Sequence, residues 1–205
     1  MAPARAILLV GPTGSGKTPL GRLLQRRGLR GRRCRHFDFG QQLRDVAAAE
    51  TPPKYLTPED VQVIRAVLAD GALLADEHFP IAERILRAFL DRCNLGPDEL
   101  VVLNGLPRHV GQARDIQRIV AVREVIYLCC TAEVVRQRIA SDIGGDRKGR
   151  RDDEMRFVRD RLETFAQRIL PLTDHYRQAA VPVRTVHVEP ETTAEQMWTD
   201  LHDEC

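Results

Sequence analysis

The stretch Ala6-Ile-Leu-Leu-Val-Gly-Pro-Thr-Gly-Ser-Gly-Lys-Thr18 joins an apolar run to a glycine-rich loop. The run at residues 6–10 has no polar side chain, which is typical of a parallel strand buried on both faces. The loop matches G-x-x-x-x-G-K-[ST] and leads into a helical pattern, as a phosphate-binding loop requires. The stretch therefore predicts a strand, a phosphate loop and a helix, in that order.

Each residue type in this loop has a physical role. Glycines let the backbone turn its N–H groups inward, and the helix N-terminus adds a positive end, so the loop attracts phosphate. We expect Lys17 to contact the outer phosphates of ATP and the Thr18 hydroxyl to bind Mg²⁺. The other loop residues predicted to bind ATP are Gly11, Thr13, Gly14, Ser15 and Gly16. The loop alone indicates nucleotide binding and no particular reaction.

Strand and helix patterns alternate along the rest of the chain. Further apolar runs lie at residues 35–37, 100–103, 125–130 and 183–188, with helical periodicities between them. Such alternation predicts βαβ units and a parallel sheet. We expect one domain over residues 1–205, with a three-layer α/β fold built on a five-stranded parallel sheet. Helix N-caps are expected at Thr57 and Thr131, and a last long helix over 152–178 with a kink at Pro171.

Two stretches interrupt this alternation. Residues 40–76 hold two helical patterns and no strand, and residues 141–149 contain a glycine-rich basic run from Ile143 to Gly149. Both are predicted to be insertions on the ligand side that close over bound nucleotides.

The composition is that of an ordinary globular protein, with 205 residues, 43% hydrophobic, 29% charged and a formal net charge of +2. All 31 basic side chains except Lys17, Lys54 and Lys148 are arginine. Arginine suits phosphate clamps, although a genome rich in G and C explains most of this excess more simply. This charge balance does not favour binding to a polyanion.

A cluster of basic residues has no aromatic residues among them. It is therefore predicted to be a solvated helix end rather than a nucleic-acid surface. The cluster comprises Arg26, Arg27, Arg30, Arg32, Arg33 and Arg35.

The cysteines predict a reducing compartment. They are five in number, and none has the spacing of a zinc site. The apolar run at residues 6–10 is too short for a signal peptide or a membrane span. We therefore expect a cytoplasmic monomer with no membrane partner.

The segment Leu103-Asn-Gly-Leu-Pro-Arg-His-Val-Gly-Gln112 resembles the D-G-F-P-R-x-x-x-Q segment of adenylate kinases and other nucleoside monophosphate kinases. Four more stretches agree with this family in order and spacing, so the resemblance spans nearly the whole chain. They are Gly40-Gln-Gln-Leu-Arg44 with G-D-x-L-R, Gly71-Ala-Leu-Leu-Ala-Asp-Glu77 with G-x-L-V-x-D-E, Gln137-Arg138 with the arginine beside the lid, and Arg150-Arg-Asp-Asp153 plus Arg161 with R-x-D-D and the arginine after it.

The resemblance implies transfer of the γ-phosphoryl group of ATP to a nucleoside monophosphate, with Mg²⁺ as cofactor, a helical acceptor-binding insertion at 40–76 and a short lid at 141–149. Arginines suit this reaction because negative charge spreads over the moving group. The implied catalytic residues are Lys17, Arg108, Arg138, Arg150 and Arg161, of which Arg138 also binds ATP. The implied acceptor-binding residues are Gly40, Arg44, Gly105, Arg108, Gln112, Arg150 and Arg161.

Four positions depart from the family pattern. Asn104 stands where an aspartate usually holds water on Mg²⁺, so either another acid compensates or activity is reduced. Gln41 and Phe39 replace an acid and a small hydroxyl residue near the acceptor, which leaves the acceptor base open. Asp142 stands where a lid arginine is usual. Three functions stay open: a nucleoside monophosphate kinase, a kinase of another small acceptor, and an ATP-binding or regulatory module without transfer.

Overall fold

The computed structural model describes residues 2–70, 72, 74–145 and 155–203, except the side chains of residues 155–157 and 203. Several sequence-based predictions lie outside this described part. They concern Gly71, the lid residues 146–149, Arg150, the pair Asp152 and Asp153, and Cys205.

Five strands form one sheet. They are β1 (Ala4–Val10), β2 (Cys34–Asp38), β3 (Leu100–Asn104), β4 (Val120–Cys129) and β5 (Val183–His187). The order across the sheet is β2-β3-β1-β4-β5, and every neighbouring pair is parallel. The predicted five-stranded parallel sheet is therefore confirmed.

Helices connect the strands within the described part of the chain. They are α1 (Lys17–Arg27), α2 (Phe39–Ala48), α3 (Pro58–Ala69), α4 (Phe79–Cys93), α5 (Val110–Ile116), α6 (Ala132–Ser141), α7 (Met155–Thr164), α8 (Pro171–Gln178) and α9 (Ala194–Asp203). A 3₁₀ turn at Asp76–His78 precedes α4, and a π-helical segment, Phe165–Ile169, joins α7 to α8.

The helices cover both faces of the sheet, which makes the three layers that the alternation predicts. One apolar cluster joins one face of β1 to side chains of α2 to α5 and α8, among them Leu43, Ile64 and Ile85. The other joins the opposite face to α1 and α9 through Leu20, Leu24 and Met197 and other buried residues. The central strands are buried on both faces, so their side chains form continuous apolar runs.

The strand order gathers several strand ends beside the phosphate loop. β1 lies between β3 and β4, so connections leave it in opposite directions, and ligands of open α/β sheets bind at such a switch point. In the parallel register, Leu9 lies beside Asn104 and Asn104 beside Asp38. The carboxyl ends of β1, β3 and β2 therefore lie next to one another.

Two predicted elements differ from the observed ones. β4 begins at Val120, because residues 120–122 pair with Ala4, Arg5 and Ala6 before a register shift at Ala6/Ile7. The long helix predicted over residues 152–178 is not a single helix with a kink at Pro171. It widens into the π-helical segment just before Pro171, where the Leu170 N–H donates to the carbonyl of Phe165 at 2.8 Å. Proline cannot donate an N–H and crowds the preceding turn, which a wider turn relieves.

The predicted helix starts are confirmed at Thr57 and Thr131. The Thr57 hydroxyl accepts the N–H of Asp60, whose side chain accepts the N–H of Thr57 in return. The Thr131 hydroxyl accepts the N–H of Val134. Across the described residues, no helix combines the length and the apolar character needed to cross a membrane.

Candidate active site

The phosphate loop connects the end of β1 to the start of α1. Gly14 and Gly16 have φ of +75° and +99°, a backbone region that side chains with a Cβ rarely adopt. A Cβ on Gly11 would lie 2.9 Å from the carbonyl oxygen of Leu128. Glycine is thus required by backbone conformation at two loop positions and by close approach at a third, so the loop keeps its tight curve around the helix N-terminus.

Lys17 is the first residue of α1 and folds back over the loop. Its Nζ donates to the carbonyl oxygens of Gly11 and Pro12, at 2.7 Å each. These two carbonyls hold the ammonium group over the phosphate loop. The predicted contact of Lys17 with nucleotide phosphates stays a prediction.

A hydrogen-bonded cluster joins α1 to the ends of β2 and β3. The Thr18 hydroxyl donates to Asp38 Oδ2 at 2.6 Å. Asn104 Nδ2 donates to the same Asp38 oxygen at 3.1 Å and to Thr18 Oγ1 at 3.0 Å. The predicted metal residues Thr18 and Asn104 are thus brought together, and Asp38 lies between them as a third member.

The carboxylate of Asp38 is held in its charged form. Burial alone would raise its pKa, but hydrogen bonds from Thr18 and from the backbone N–H of Gln41, with the charge of Arg44, lower the pKa below its ordinary value. His36 lies against Gly21, where an added Cβ would come within 2.2 Å of its ring. Burial is the main cause that lowers the pKa of His36 to about 4, so the imidazole stays neutral beside Asp38.

Sequence reasoning missed Asp38. The residue is two positions before Gly40 in the G-x-x-L-R segment, and nothing local distinguishes it from a helix N-cap, a role that it also has for α2 through Oδ1 and the Gln41 N–H. The one available signal was its position at the end of a predicted strand, since carboxyl ends of parallel strands meet at the ligand edge of the sheet.

Arg138 lies in α6 and is 3% exposed. Its Nε donates to the Gly14 carbonyl at 3.1 Å, and its Nη1 donates to carbonyls that follow β5, those of Glu189 at 2.8 Å, Pro190 at 3.2 Å and Thr192 at 2.7 Å. The guanidinium therefore ties the phosphate loop to the loop between β5 and α9. These bonds make Arg138 a brace of the phosphate loop, and its predicted contact with the phosphates stays a prediction.

Arg108 lies in the turn after β3, on the side of the sheet that carries α2. Its Nε donates to the Gly105 carbonyl at 2.9 Å, and its guanidinium carbon lies 5.6 Å from the centre of the Phe39 ring. The Nη1 atom is buried and has no hydrogen-bond partner among the described residues. Burial, together with the charge of Arg161 on α7, lowers the pKa of Arg108 to about 10. An anion at this position would satisfy the buried donor of Arg108.

Arg44 is held by the residue that replaces the family's acid. Its Nε and Nη2 both donate to Gln41 Oε1, at 3.3 and 2.9 Å. Gly40 lies beside it, because a Cβ there would be 3.5 Å from Arg44 Nη1. The amide thus orients Arg44 without adding a negative charge next to it.

A narrow cleft lies beside Arg108. Gln112 lines it, and its Oε1 accepts the backbone N–H of Arg108 at 2.9 Å. Asp76 lies at the cleft between His109 Nε2 and Arg168 Nη2, 2.7 Å from each. Phe39, which replaces a small hydroxyl residue of the family pattern, is buried under Arg108 and stacked on Phe37.

The structure gathers the described candidate residues at one edge of the sheet. Those predicted to bind ATP lie in the phosphate loop and first turn of α1, or brace it: Gly11, Thr13, Gly14, Ser15, Gly16, Lys17, Thr18 and Arg138. Those predicted to bind the acceptor lie in α2, in the turn after β3, in α5 and in α7: Gly40, Arg44, Gly105, Arg108, Gln112 and Arg161. Arg150 was predicted for both catalysis and acceptor binding and lies outside the described residues.

The donor atoms around Thr18 fit a magnesium ion. The hydroxyl of Thr18 and the carboxylate of Asp38 are hard oxygen ligands at the mouth of the phosphate loop. In the described part of the chain, no group of three or more His, Cys, Asp or Glu residues could hold a metal by itself. This suits Mg²⁺, which is usually held by one or two protein oxygens together with substrate phosphates and water.

Comparisons with known proteins agree with this geometry. The family model described as "AAA domain" matches residues 7–159. The chain is similar to the adenylate kinase of Synechococcus sp. (strain WH7803), with 28% identity over 201 residues and 95% of each chain covered. It is also similar to the adenylate kinases of Prochlorococcus marinus (strain MIT 9313), with 30% identity and 84% of each chain covered, and of Thermus thermophilus, with 28% identity and 86% of each covered.

Proposed function

We propose that this chain, which belongs to the adenylate kinase family and is an ATP-dependent nucleoside monophosphate kinase, takes AMP as its acceptor and binds its donor as Mg²⁺-ATP. Of the three functions that the sequence left open, the relatives favour the first. Their name describes phosphoryl transfer to AMP, and the acceptor of this chain is inferred from them and from its cleft.

The observation that carries the proposal is the arginine pair beside the phosphate loop. Arg108 and Arg161 lie close enough for one charge to lower the pKa of the other, and Arg108 keeps a buried donor unsatisfied by the described residues. The buried donor of Arg108 would be satisfied by a negatively charged acceptor group. A phosphate on the acceptor, facing the γ-phosphate of ATP, supplies that charge.

The donor nucleotide would bind along the phosphate loop. Its β- and γ-phosphates would accept from the loop N–H groups and from Lys17, which would exchange its bonds to the Gly11 and Pro12 carbonyls for phosphate oxygens. Arg138 would hold the loop in this shape from below. The Thr18 hydroxyl and the Asp38 carboxylate would hold Mg²⁺, which would reduce the negative charge of the phosphates.

The acceptor would bind on the opposite side of the arginine pair. Arg44 and Arg108 would hold its phosphate, and Gln112 would lie at the base in the cleft. An acceptor phosphate oxygen forms a bond to the γ-phosphorus while the bond between that phosphorus and the β,γ-bridging oxygen breaks, so ATP and AMP become two ADP. Charge on the moving group would be compensated by Lys17 and Arg161, because catalysis in this reaction is mainly positioning and electrostatic stabilisation.

A panel of acceptors tests the proposal. ADP formation from Mg²⁺-ATP is measured with AMP, CMP, UMP and GMP, and we expect kcat/KM to be highest for AMP. A higher kcat/KM for another monophosphate would contradict AMP as the acceptor. ATP binding without ADP formation from any monophosphate would instead indicate a nucleotide-binding module.

Three further expectations belong to the proposal. We propose that the protein acts as a monomer, that it works in the cytoplasm, and that its partners are nucleotides rather than nucleic acid. Light scattering coupled to size-exclusion chromatography tests the first, since a mass near 46 kDa, about twice the 23.2 kDa of the chain, would indicate a dimer.

A further inference from the structure

We infer that Asp38, on β2, is the carboxylate that serves the divalent cation of the donor nucleotide, and that Asn104, on β3, is a positioning residue that holds it toward Thr18. The inference rests on the proposed function, because it assumes that the phosphate loop binds Mg²⁺-ATP. Because Asn104 replaces the usual aspartate, the sequence left two alternatives: another acid compensates, or activity is reduced. The inference selects the first, with Asp38 as the compensating acid.

The contacts single out one oxygen of Asp38. Oδ2 accepts from the Thr18 hydroxyl at 2.6 Å and from Asn104 Nδ2 at 3.1 Å. The other oxygen, Oδ1, accepts the backbone N–H of Gln41 and caps α2. One oxygen therefore serves the fold, and the other lies at the hydroxyl that is predicted to bind the cation.

The sheet explains why a residue from β2 reaches this place. β2 lies at the edge of the sheet, separated from β1 by β3, and Asp38 is level with Asn104 in the parallel register. Thr18 Oγ1 lies within hydrogen-bond distance of both side chains. A carboxylate on either strand would therefore reach the same position beside α1.

The charges of the pair favour Asp38. Mg²⁺ prefers charged oxygen ligands, held directly or through water, and Asp38 is the carboxylate that the described contacts place at the Thr18 hydroxyl. Asn104 is neutral and points its N–H donors at Asp38 and Thr18. An aspartate at position 104 would not donate, and its carboxylate would lie about 3 Å from that of Asp38, where like charges repel.

A purely structural role for Asp38, the N-cap of α2, makes a different prediction. Asparagine caps helices about as well as aspartate, so Asp38→Asn keeps the cap and the shape while it removes the charge. If capping were the whole role, this variant would bind Mg²⁺-ATP as the wild type does. If Asp38 serves the cation, the variant loses the advantage that Mg²⁺ gives to ATP binding.

The experiment measures ATP binding by calorimetry in Mg²⁺ and in EDTA, and takes the ratio of the two dissociation constants for each variant. We expect Asp38→Asn to reduce the gain from Mg²⁺ by about 10- to 100-fold, the usual cost of removing a residue that supports a metal site, with little change in EDTA. Electron paramagnetic resonance of Mn²⁺-ATP provides a second reading of the same site. The matched control is Asp174→Asn, which removes an exposed carboxylate from α8, where the side chain is 71% exposed.

The double variant Asp38→Asn/Asn104→Asp moves the carboxylate one strand across. The pair then carries one negative charge again, with an amide beside it, so we expect the Mg²⁺ ratio to return toward the wild-type value. Circular dichroism checks that each variant is folded. A ratio that stays low in a folded double variant contradicts the inference, as does a single variant with the wild-type ratio or with equal losses in Mg²⁺ and EDTA.

These outcomes are separable from a failure of the proposed function. The ratio is a binding measurement and needs no acceptor, so a wild-type protein that binds Mg²⁺-ATP but makes no ADP from AMP contradicts only the function. A wild-type ATP affinity that does not respond to Mg²⁺ contradicts the role of Asp38 directly.

Discussion

Two arginines, Arg138 and Arg108, lie on opposite sides of the same phosphate loop and differ in almost every physical respect. The guanidinium of Arg138 donates four hydrogen bonds to backbone carbonyls. That of Arg108 donates to one carbonyl, lies over an aromatic ring, and keeps a buried Nη1 unsatisfied by the described residues beside the charge of Arg161. Arg138 therefore stabilises the fold through its backbone contacts, whereas Arg108 keeps a donor that a ligand could use.

The same contrast extends to the two halves of the site. The donor half comprises the phosphate loop, Asp38, Asn104 and Arg138, and its polar groups are largely bonded to one another. The acceptor half comprises Arg44, Arg108, Gln112 and Arg161, and its three arginines come from α2, the turn after β3 and α7. Bonds within the fold thus order the donor half, whereas the acceptor half contains a buried donor, Nη1 of Arg108, that the described residues leave unsatisfied.

The largest effect is expected at Lys17, which belongs to the donor half but is not required by the fold. Lys17→Ala removes a cation whose described hydrogen bonds go to two loop carbonyls and not to the apolar core, so the melting temperature should change little. ADP formation should fall on the order of 10²- to 10³-fold, as when one stabilising donor is lost. Steady-state kinetics and calorimetry with ATP measure this, with Lys54→Ala as the control on an exposed lysine. Wild-type ATP affinity and turnover would remove Lys17 from the site.

The second-largest effect is expected on KM for AMP when Arg108 is replaced. Arg108→Met keeps an unbranched stem over Phe39 and removes the charge, so we expect KM for AMP to rise by about 10- to 100-fold, the value of one or two charge-assisted hydrogen bonds. The ATP dissociation constant should not change. Because the variant also removes a buried donor that has no partner among the described residues, its melting temperature without ligand should not fall.

The control for Arg108 is Arg114→Met, on the exposed face of α5 nearby. It should leave KM and the melting temperature as in the wild type. A clear loss of stability in Arg108→Met, with an unchanged KM for AMP, would contradict this prediction. Arg108 would then be a structural residue like Arg138.

The smallest effect on the rate of ADP formation is expected at Arg138. Its replacement should lower the unfolding free energy more than it lowers the rate. Arg138→Lys keeps the charge but cannot reach the same four carbonyls, so the unfolding free energy should fall by about 1–3 kcal/mol, the usual cost of buried polar groups left without partners. ATP binding should weaken only as far as the loop loosens. Thermal and urea unfolding measure the first effect, with Arg136→Lys on the exposed face of α6 as the control. A wild-type unfolding free energy with a large loss of ATP affinity would show that Arg138 contacts phosphate directly.

Much of the fold could be predicted because its signals are local. The phosphate loop needs glycine at particular backbone angles and lies between a strand and a helix that adjoin it in the chain. The caps at Thr57 and Thr131 bond to N–H groups three residues away. The strand ends were less certain, because β4 includes the charged residues Arg123 and Glu124, which interrupt its apolar run.

The candidate residues could be predicted by type, but their roles depend on which partners they meet. Arg138 donates to carbonyls that lie 51 to 54 and 124 positions away in the sequence. Phe39 is buried by packing against Phe37 and Arg108. No local pattern contains such contacts.

By itself, then, the sequence determined the phosphate loop, the alternation of strands and helices, and the family, since each depends on neighbouring residues or on motifs in order along the chain. Only the tertiary structure decided which carboxylate lies at the Thr18 hydroxyl. Asp38 is 20 positions from Thr18 and 66 from Asn104, and it meets both because β3 inserts between β2 and β1 in the sheet. Strand order is set by the burial of both sheet faces over the whole domain, so a carboxylate lost from one strand is replaced from its neighbour in space rather than in sequence.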